Sequence, residues 1–420
     1  FERVHKIESG TAIVIDATGR TITRYWVPED VPLTDLAADA AESTLETLLV
    51  QAVNKQVRAD VPVGVFTSGG VDSALLAVLA RDAVGARDLH TFTVGFEDAS
   101  YDERAHAARL AQYVDSEHVE IALGEEGMQG AFDVVSERLA EPVADPAILP
   151  TYLLARVARQ HVGVVLSGEG ADELFGGYPT YLGHRHAPGF ARLPAALRTA
   201  LQVAADLLPP SESKVPLGFL LKRFVAHADR DLLTRHVAWF GTGLPDHLVP
   251  PEHEEAAAQQ RTTDGDPLRR VMLFDYLTYL PDNLLAKVDR ATMLNSLEAR
   301  SPFLDRDVVR FALGMNTDLK IRGTTTKWLL KRVAAHRLPR GIVHRRKGGL
   351  SVPVGRWLNE GLRAESDRLL APERVREVGV LNAEPVRQLL FEHRSRRADH
   401  TRALWALLVL ERWRERWIQH

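Results

Sequence analysis

Between residues 60 and 170 the chain alternates between two hydrophobic periodicities. Strand candidates fall at 63–67, 90–96, 118–123 and 162–166, and the first, a short β-branched run bounded by polar residues, reads as a buried parallel strand. The segments between them, 73–82, 102–113, 128–139 and 149–160, place apolar stripes on strong helix formers and predict crossover helices. This alternation predicts an α/β fold, a doubly wound parallel sheet with right-handed crossovers, whose ligands gather beyond the carboxyl ends of the strands. Upstream, residues 11–26 alternate apolar and polar around Ala17-Thr18-Gly19-Arg20, the pattern of a β-hairpin. Residues 34–57 read as a long amphipathic helix with Thr34 or Asp35 as its N-cap. Past about residue 190 the strand signal fades, and helical patterns run to the end with Pro-rich breaks at 207–216 and 243–251. These shifts divide the chain into 1–30, an α/β core at 31–190, and a mainly helical part at 191–420.

Two predicted strands run into loops dense with polar chemistry. After the first comes Ser68-Gly69-Gly70-Val71-Asp72-Ser73. Its glycines let the backbone turn tightly against a ligand, and the helix start behind them offers free N–H groups and a positive dipole end, a site for an oligophosphate. The two serine hydroxyls add donors, and Asp72 suits the magnesium ion that accompanies a nucleotide. Two glycines alone would mark an ordinary strand-to-helix turn; two serines and an aspartate in the same six residues favour the phosphate site. It is neither a Walker A loop nor a GxGxxG. The strand ending at 166 leads into residues 167–178, SGEGADELFGGY, with Glu169, Asp172 and Glu173 set among four glycines. A helix cap accounts for one or two acids there, not for three.

Composition narrows the functional classes. With 420 residues there is room for two or three domains, and 45% apolar with 26% charged residues is ordinary for a globular protein. A net charge of −4 gives no general attraction to nucleic acid or to an anionic membrane. The richest apolar stretch, 403–410, is far shorter than a membrane span, and no signal peptide is evident. Cysteine is absent, which removes disulfides, thiolate nucleophiles and Cys-based zinc sites and makes a cytoplasmic setting the default. The first residue is Phe1, which suggests a piece of a longer product.

The pairing of SGGVDS with SGEGADELFGGY resembles the synthetase domain of glutamine-dependent asparagine synthetases, within the PP-loop ATP pyrophosphatases. Residues 279–305, 327–331 (KWLLK) and 338–350 agree, so the resemblance spans most of the chain. It implies that 1–30 is the closing hairpin of an N-terminal glutaminase domain, 31–190 the PP-loop ATP-binding core and 191–420 the rest of the synthetase domain. The cofactors it implies are ATP and Mg2+. Ser68, Gly69, Gly70, Asp72 and Ser73 would hold the β- and γ-phosphates; Phe66, Val94 and Gly168, with Ser167, would line the adenosine site. Asp72 and Asp172 would be the magnesium ligands. Glu169 would act while the acyl-adenylate forms and is consumed, its carboxyl raised by Asp172 and Glu173, and Lys347 would stabilise the departing pyrophosphate. The segment 348–349 would belong to a lid that excludes water.

The reaction so implied is adenylation of the aspartate side chain with release of pyrophosphate, then attack by ammonia to give asparagine and AMP. Aspartate or a similar small carboxylate and ammonia are the implied partners, with room for a homodimer, and no nucleic acid or membrane. The family's glutaminase nucleophile is an N-terminal cysteine, and this sequence has none, so its ammonia is expected from elsewhere. Three other readings stand beside this one. Relatives that close β-lactam rings or cyclise lasso peptides use an internal amine. PP-loop enzymes that modify tRNA share SGGxDS but bring a basic surface. A nucleotide-binding regulator would not need the acids and the lysine that are present. On residue type alone, Lys347 sits in a basic loop, His184 and His186 lack a third metal ligand and read as surface residues, and Arg290 and Arg300 read as structural ion-pair partners.

Overall fold

The computed structural model describes residues 4–98, 101–208, 217–241, 243–244, 248, 265–345 and 352–418. Strands β1 (Thr11–Asp16) and β2 (Gly19–Arg24) form the expected hairpin, closed where Asp16 pairs with Gly19. Asp16 accepts hydrogen bonds from the backbone N–H and hydroxyl of Thr18, which fixes the turn. The remaining strands, β3 (Val63–Phe66), β4 (His90–Phe96), β5 (Glu117–Leu123), β6 (Val164–Leu166) and β7 (Glu298–Arg300), form one parallel sheet in the order β5-β4-β3-β6-β7.

The chain therefore builds outward from β3 through β4 to β5, returns to the other side of β3 as β6, and ends with β7. Beyond the carboxyl ends of β3 and β6 this reversal leaves a crevice, the place where such sheets bind ligands. Strand β7 has no apolar run, so its sequence gives no strand signal. It forms because its backbone completes the ladder on β6, continued by the Ser167 N–H donating to the Arg300 carbonyl at 2.8 Å. The Arg300 guanidinium is spent on Glu298 and on the carbonyls of Gln56 and Arg58. Arg290 pairs with Glu141, so both arginines are ion-pair partners as expected.

Side chains alternate across the sheet and supply two cores. Phe92, Val94 and Phe96 pack on one face against α4 (Glu125–Arg138), α5 (Ile148–Ala158) and the helix Thr401–Trp417. Val63, Val65, Val164 and Leu166 face α1 (Ala38–Gln56), α2 (Val71–Val84), α3 (Arg104–Val114) and the helix Trp328–Ala335. Each such side chain contributes roughly 1.5–3 kcal/mol on burial. Residues beyond 300 thus cover both faces of the sheet. Helix α1 starts later than the sequence suggests, with Ala37 as its cap: the Thr34 N–H is taken by the Gly314 carbonyl at 2.8 Å, which holds that residue extended.

A smaller core lies among α7 (Pro179–Ala191) and the helices Leu232–Phe240 and Pro267–Leu277. Here His184 corrects the surface reading, being 4% exposed, whereas His186 is exposed. The Arg235 Nε–H donates to His184 Nδ1 (3.2 Å), so His184 donates from Nε2 to His236 Nδ1 (3.0 Å). His236 in turn donates from Nε2 to Asp275 (2.8 Å), which also accepts from the Tyr181 hydroxyl (2.6 Å). One direction of hydrogen bonding runs from a guanidinium to a carboxylate through two neutral imidazoles.

Candidate active site

The loop leaving β3 closes on itself. Ser68 N–H donates to Ser73 Oγ at 3.2 Å, and the Ser73 hydroxyl donates to the Gly70 carbonyl at 3.3 Å. Gly69 has φ +66°, and a Cβ there would sit 2.7 Å from the His106 Cβ, so only glycine fits the turn. Helix α2 follows with Gly70 as N-cap and its first N–H groups facing the crevice edge of the sheet. Phe66 and Val94 lie on the sheet face that also carries Phe92, and the Phe66 and Phe92 rings meet edge-on at 6.5 Å. Val94 stands two residues before the end of β4, inside the strand and not at its terminus.

The acidic loop leaves β6 beside it. Ser167 is buried, and a Cβ on Gly168 would lie 3.4 Å from the Asp72 Cβ, so the two loops are in van der Waals contact. Helix α6 (Ala171–Phe175) then presents Asp172. Asp72 and Asp172 are joined by one cation: Lys327 Nζ lies 2.5 Å from Asp72 Oδ2 and 2.6 Å from Asp172 Oδ1. Burial opposes a charge on Lys327, but the two aspartates outweigh it and raise its pKa. Lys327 also sits in the left-handed region, φ +52°, a conformation that costs on the order of 1–3 kcal/mol and persists where surrounding structure imposes it. In the sequence, Lys327 opens the KWLLK stretch with nothing local to mark a role. A lysine between two candidate metal ligands becomes visible only once the chain is folded.

A second buried lysine, Lys287, lies near the acidic loop. Lys287 Nζ lies 3.2 Å from Asp145, and both Asp145 and Glu169 favour its charge against the penalty of burial. On the same loop, burial first and then Asp172 push the Glu173 pKa up to about 8. Tyr178 donates its hydroxyl to Glu173 and packs edge-on against Tyr181, Phe240 and Tyr279. Arg345 clamps the phosphate-type loop from outside, donating to the Ser68 carbonyl at 2.9 Å while pairing with Glu103 at 3.0 Å. Lys347 and the 348–349 lid segment lie outside the described residues. The structure therefore brings Ser68, Gly69, Gly70, Asp72, Ser73, Ser167, Gly168, Glu169 and Asp172 to one crevice, with Phe66 and Val94 on the adjoining face of the sheet.

Gly177 shows how little room this arrangement leaves, because a Cβ there would overlap both Asp172 Oδ1 and Lys327 Cε. Gly177→Ala is expected to separate that ion pair and lower turnover about tenfold or more, by the sensitivity of catalysis to small displacements. Steady-state kinetics on a variant with a wild-type melting temperature would check it.

Residues 44–415 match the family described as asparagine synthase. The chain belongs to the asparagine synthase family. A putative asparagine synthetase (glutamine-hydrolyzing) of Mycobacterium tuberculosis is 34% identical over 99% of this chain and 65% of its own length. Asparagine synthetase (glutamine-hydrolyzing) 1 of Bacillus subtilis is 29% identical over 98% of the chain and 65% of its own length. An amidase of Penicillium rubens is 24% identical over 91% of the chain and 63% of its own length. The chain thus spans a little under two thirds of the relatives it matches. Asparagine synthases are ATP-using ligases that form amides, and the fold is that of their synthetase part.

Proposed function

We propose that the chain activates a small carboxylate, aspartate by preference, by transfer of AMP from ATP with release of pyrophosphate, and then joins it to ammonia. The observation that carries this reading is the meeting of Asp72 and Asp172 on one ammonium at the reversal point of the sheet, with Glu169 on the same loop. Carboxylate attack on the α-phosphorus brings anions together, so the site must supply positive charge and aimed N–H groups. Ser68, Ser73 and the start of α2 would cradle the β- and γ-phosphates, and Lys327 would offer its charge beside them. Phe66, Val94 and Gly168 would bound the adenosine. Lys347 is assigned to pyrophosphate by the resemblance alone.

The donor set fits magnesium: two carboxylates supply hard oxygens, and Asp72 Oδ1 is buried with no hydrogen-bond partner. Magnesium held by Asp72 and Asp172 would neutralise the triphosphate and the leaving pyrophosphate. Before substrate arrives, Lys327 keeps the same carboxylates compensated. In the second half-reaction Glu169 would take the proton that ammonia loses on attacking the acyl-adenylate. Its charge and that of Asp145 both favour the ammonium of the buried Lys287. Domains 1–30, 31–190 and 191–420 are proposed to serve as partner-facing hairpin, nucleotide core and acceptor-side cover, with ammonia supplied by a glutaminase outside this sequence. A homodimer, and a cytoplasmic setting for an enzyme of amino-acid supply, complete the proposal; no described helix is long and apolar enough to cross a membrane.

The test is release of pyrophosphate from ATP with magnesium, ammonium and aspartate, followed by detection of asparagine. Glu169→Gln is expected to lower amide formation about 10²-fold, the lower range for loss of a general base, while retaining aspartate-dependent exchange of pyrophosphate into ATP. Pyrophosphate release that needs some other carboxylate or amine would move the chain to the β-lactam- or lasso-type ligases. Release that needs tRNA, with binding that falls steeply with salt, would move it to the tRNA-modifying enzymes.

A further inference from the structure

We propose that His90, Glu117 and His161 form a binding site for a first-row transition-metal ion, with Zn2+ as the occupant, at the amino-terminal edge of the parallel sheet. His90 and Glu117 are the first residues of β4 and β5 and are direct cross-strand partners, so their side chains leave the sheet on the same face. His90 Nε2 lies 3.2 Å from Glu117 Oε2. His161 enters from above, on the turn that joins α5 to β6, with its ring centroid 5.8 Å from that of His90 and 5.9 Å from that of Phe92. One ligand atom from each of the three residues lies within 4.8 Å of the others. Donors bound at about 2.0–2.1 Å in a tetrahedron stand roughly 3.3 Å apart. The His90–Glu117 pair already has that spacing, and rotation of the exposed His161 closes the rest.

The donor chemistry selects the ion. Two imidazoles and one carboxylate suit Zn2+, Co2+ or Ni2+, whereas Mg2+ and Ca2+ prefer oxygen alone. The chain has no cysteine to compete for a soft metal. Other His–acid contacts, such as His336 with Glu42, His400 with Glu392 and His236 with Asp275, bring no third ligand atom close enough, and this is the one such trio among the described residues. His90 Nδ1 is buried without a hydrogen-bond partner, so the outer ring nitrogen lacks the acceptor that strengthens tight sites, a shortfall of about 10–100-fold in affinity. The site is thus an exchangeable one with an open coordination position.

Its position separates it from the nucleotide crevice. β4 carries the chain from His90 at one sheet edge to Phe96 at the other, about 20 Å at roughly 3.3 Å per residue. Metal at His90 would tie β4, β5 and the α5–β6 turn together and stabilise the fold by mass action. It does not rest on the catalytic reading, which can fail independently.

Titration of the untagged chain with Co2+ tests this through the visible d–d bands of a four-coordinate site. The expected result is one saturable equivalent, displaced by Zn2+, insensitive to excess Mg2+ and accompanied by a rise in melting temperature. His161→Ala and Glu117→Gln, both on exposed side chains, should each weaken binding at least about tenfold, consistent with loss of one of three ligands. His336→Ala should leave it unchanged. Absence of the bands, or binding of undiminished affinity in both His161→Ala and Glu117→Gln, would overturn the proposal.

Discussion

Replacing Lys327 by methionine is expected to lower aspartate-dependent pyrophosphate release by about 10²–10³, the usual loss when one preorganised electrostatic group is removed from a water-poor site. The stem of methionine fills the same channel, so packing is nearly conserved while the charge disappears. Asp72 and Asp172, both about 20% exposed, would then face each other without the ammonium that now lies within 2.6 Å of each. Two consequences follow from that repulsion. The resting protein should lose stability, toward the low end of the range of about 3–5 kcal/mol for breaking a buried ion pair, because solvent reaches the carboxylates. Its affinity for magnesium in the absence of nucleotide should rise, since the two carboxylates gain an unmet demand for a cation. Lys327→Arg should not restore the rate, because a planar guanidinium cannot occupy a point between two converging carboxylates. A turnover within a few-fold of wild type for Lys327→Met would show that the lysine is a structural bridge with no part in handling phosphate.

The skeleton of this site was legible because its two loops are local: each is a strand end, a glycine-rich turn and a helix start contiguous in sequence. Strands β3, β4 and β6 were legible because burial on both faces leaves them mostly apolar, and the half-exposed edge strand β5 because Val119, Ile121 and Leu123 alternate with other residues. β7 was not, since Glu298-Ala299-Arg300 is held by backbone pairing at a sheet edge and by carbonyl contacts from Gln56 and Arg58. Lys327 and Arg345 were not assigned, because what singles them out is proximity across more than 250 positions of chain. Charged residues in basic or amphipathic stretches look alike until a partner is known. The same holds for His184, which nothing in its local sequence distinguishes from the exposed His186. Glu173 shows the reverse case: an acid noticed for its effect on Glu169 turns out to carry the raised pKa itself, because its side chain is the one driven into the interior.

Asp275→Ala is expected to destabilise the chain by about 3–5 kcal/mol, the cost of removing one partner from a buried charge network. The substitution leaves the Tyr181 hydroxyl and the His236 Nε2–H, 0% exposed both, without an acceptor, and leaves the Arg235 charge with no carboxylate at the far end of its hydrogen-bond chain. Urea unfolding would measure it, and a loss below about 1 kcal/mol, the worth of a single ordinary hydrogen bond, would refute the network reading. The network also gives stability a pH dependence of known sign. Burial, then His236 and Arg235, hold the His184 pKa down at about 2 against an ordinary value of 6.5. The unfolded chain takes a proton near pH 6.5 that the folded chain refuses, so this contribution to stability is complete above pH 6.5 and is lost as pH falls toward 2. The slope from this group approaches about 1.4 kcal/mol per pH unit. Because Tyr181 and Phe240 pack against Tyr178, and Tyr178 bonds Glu173, loosening the network should reach the acidic loop before the protein unfolds. Asp275→Asn, which keeps an acceptor for one of the two donors, should recover part of the stability, and a shallower acid limb in Asp275→Ala than in wild type would show that His184 titrates once its chain of hydrogen bonds is cut.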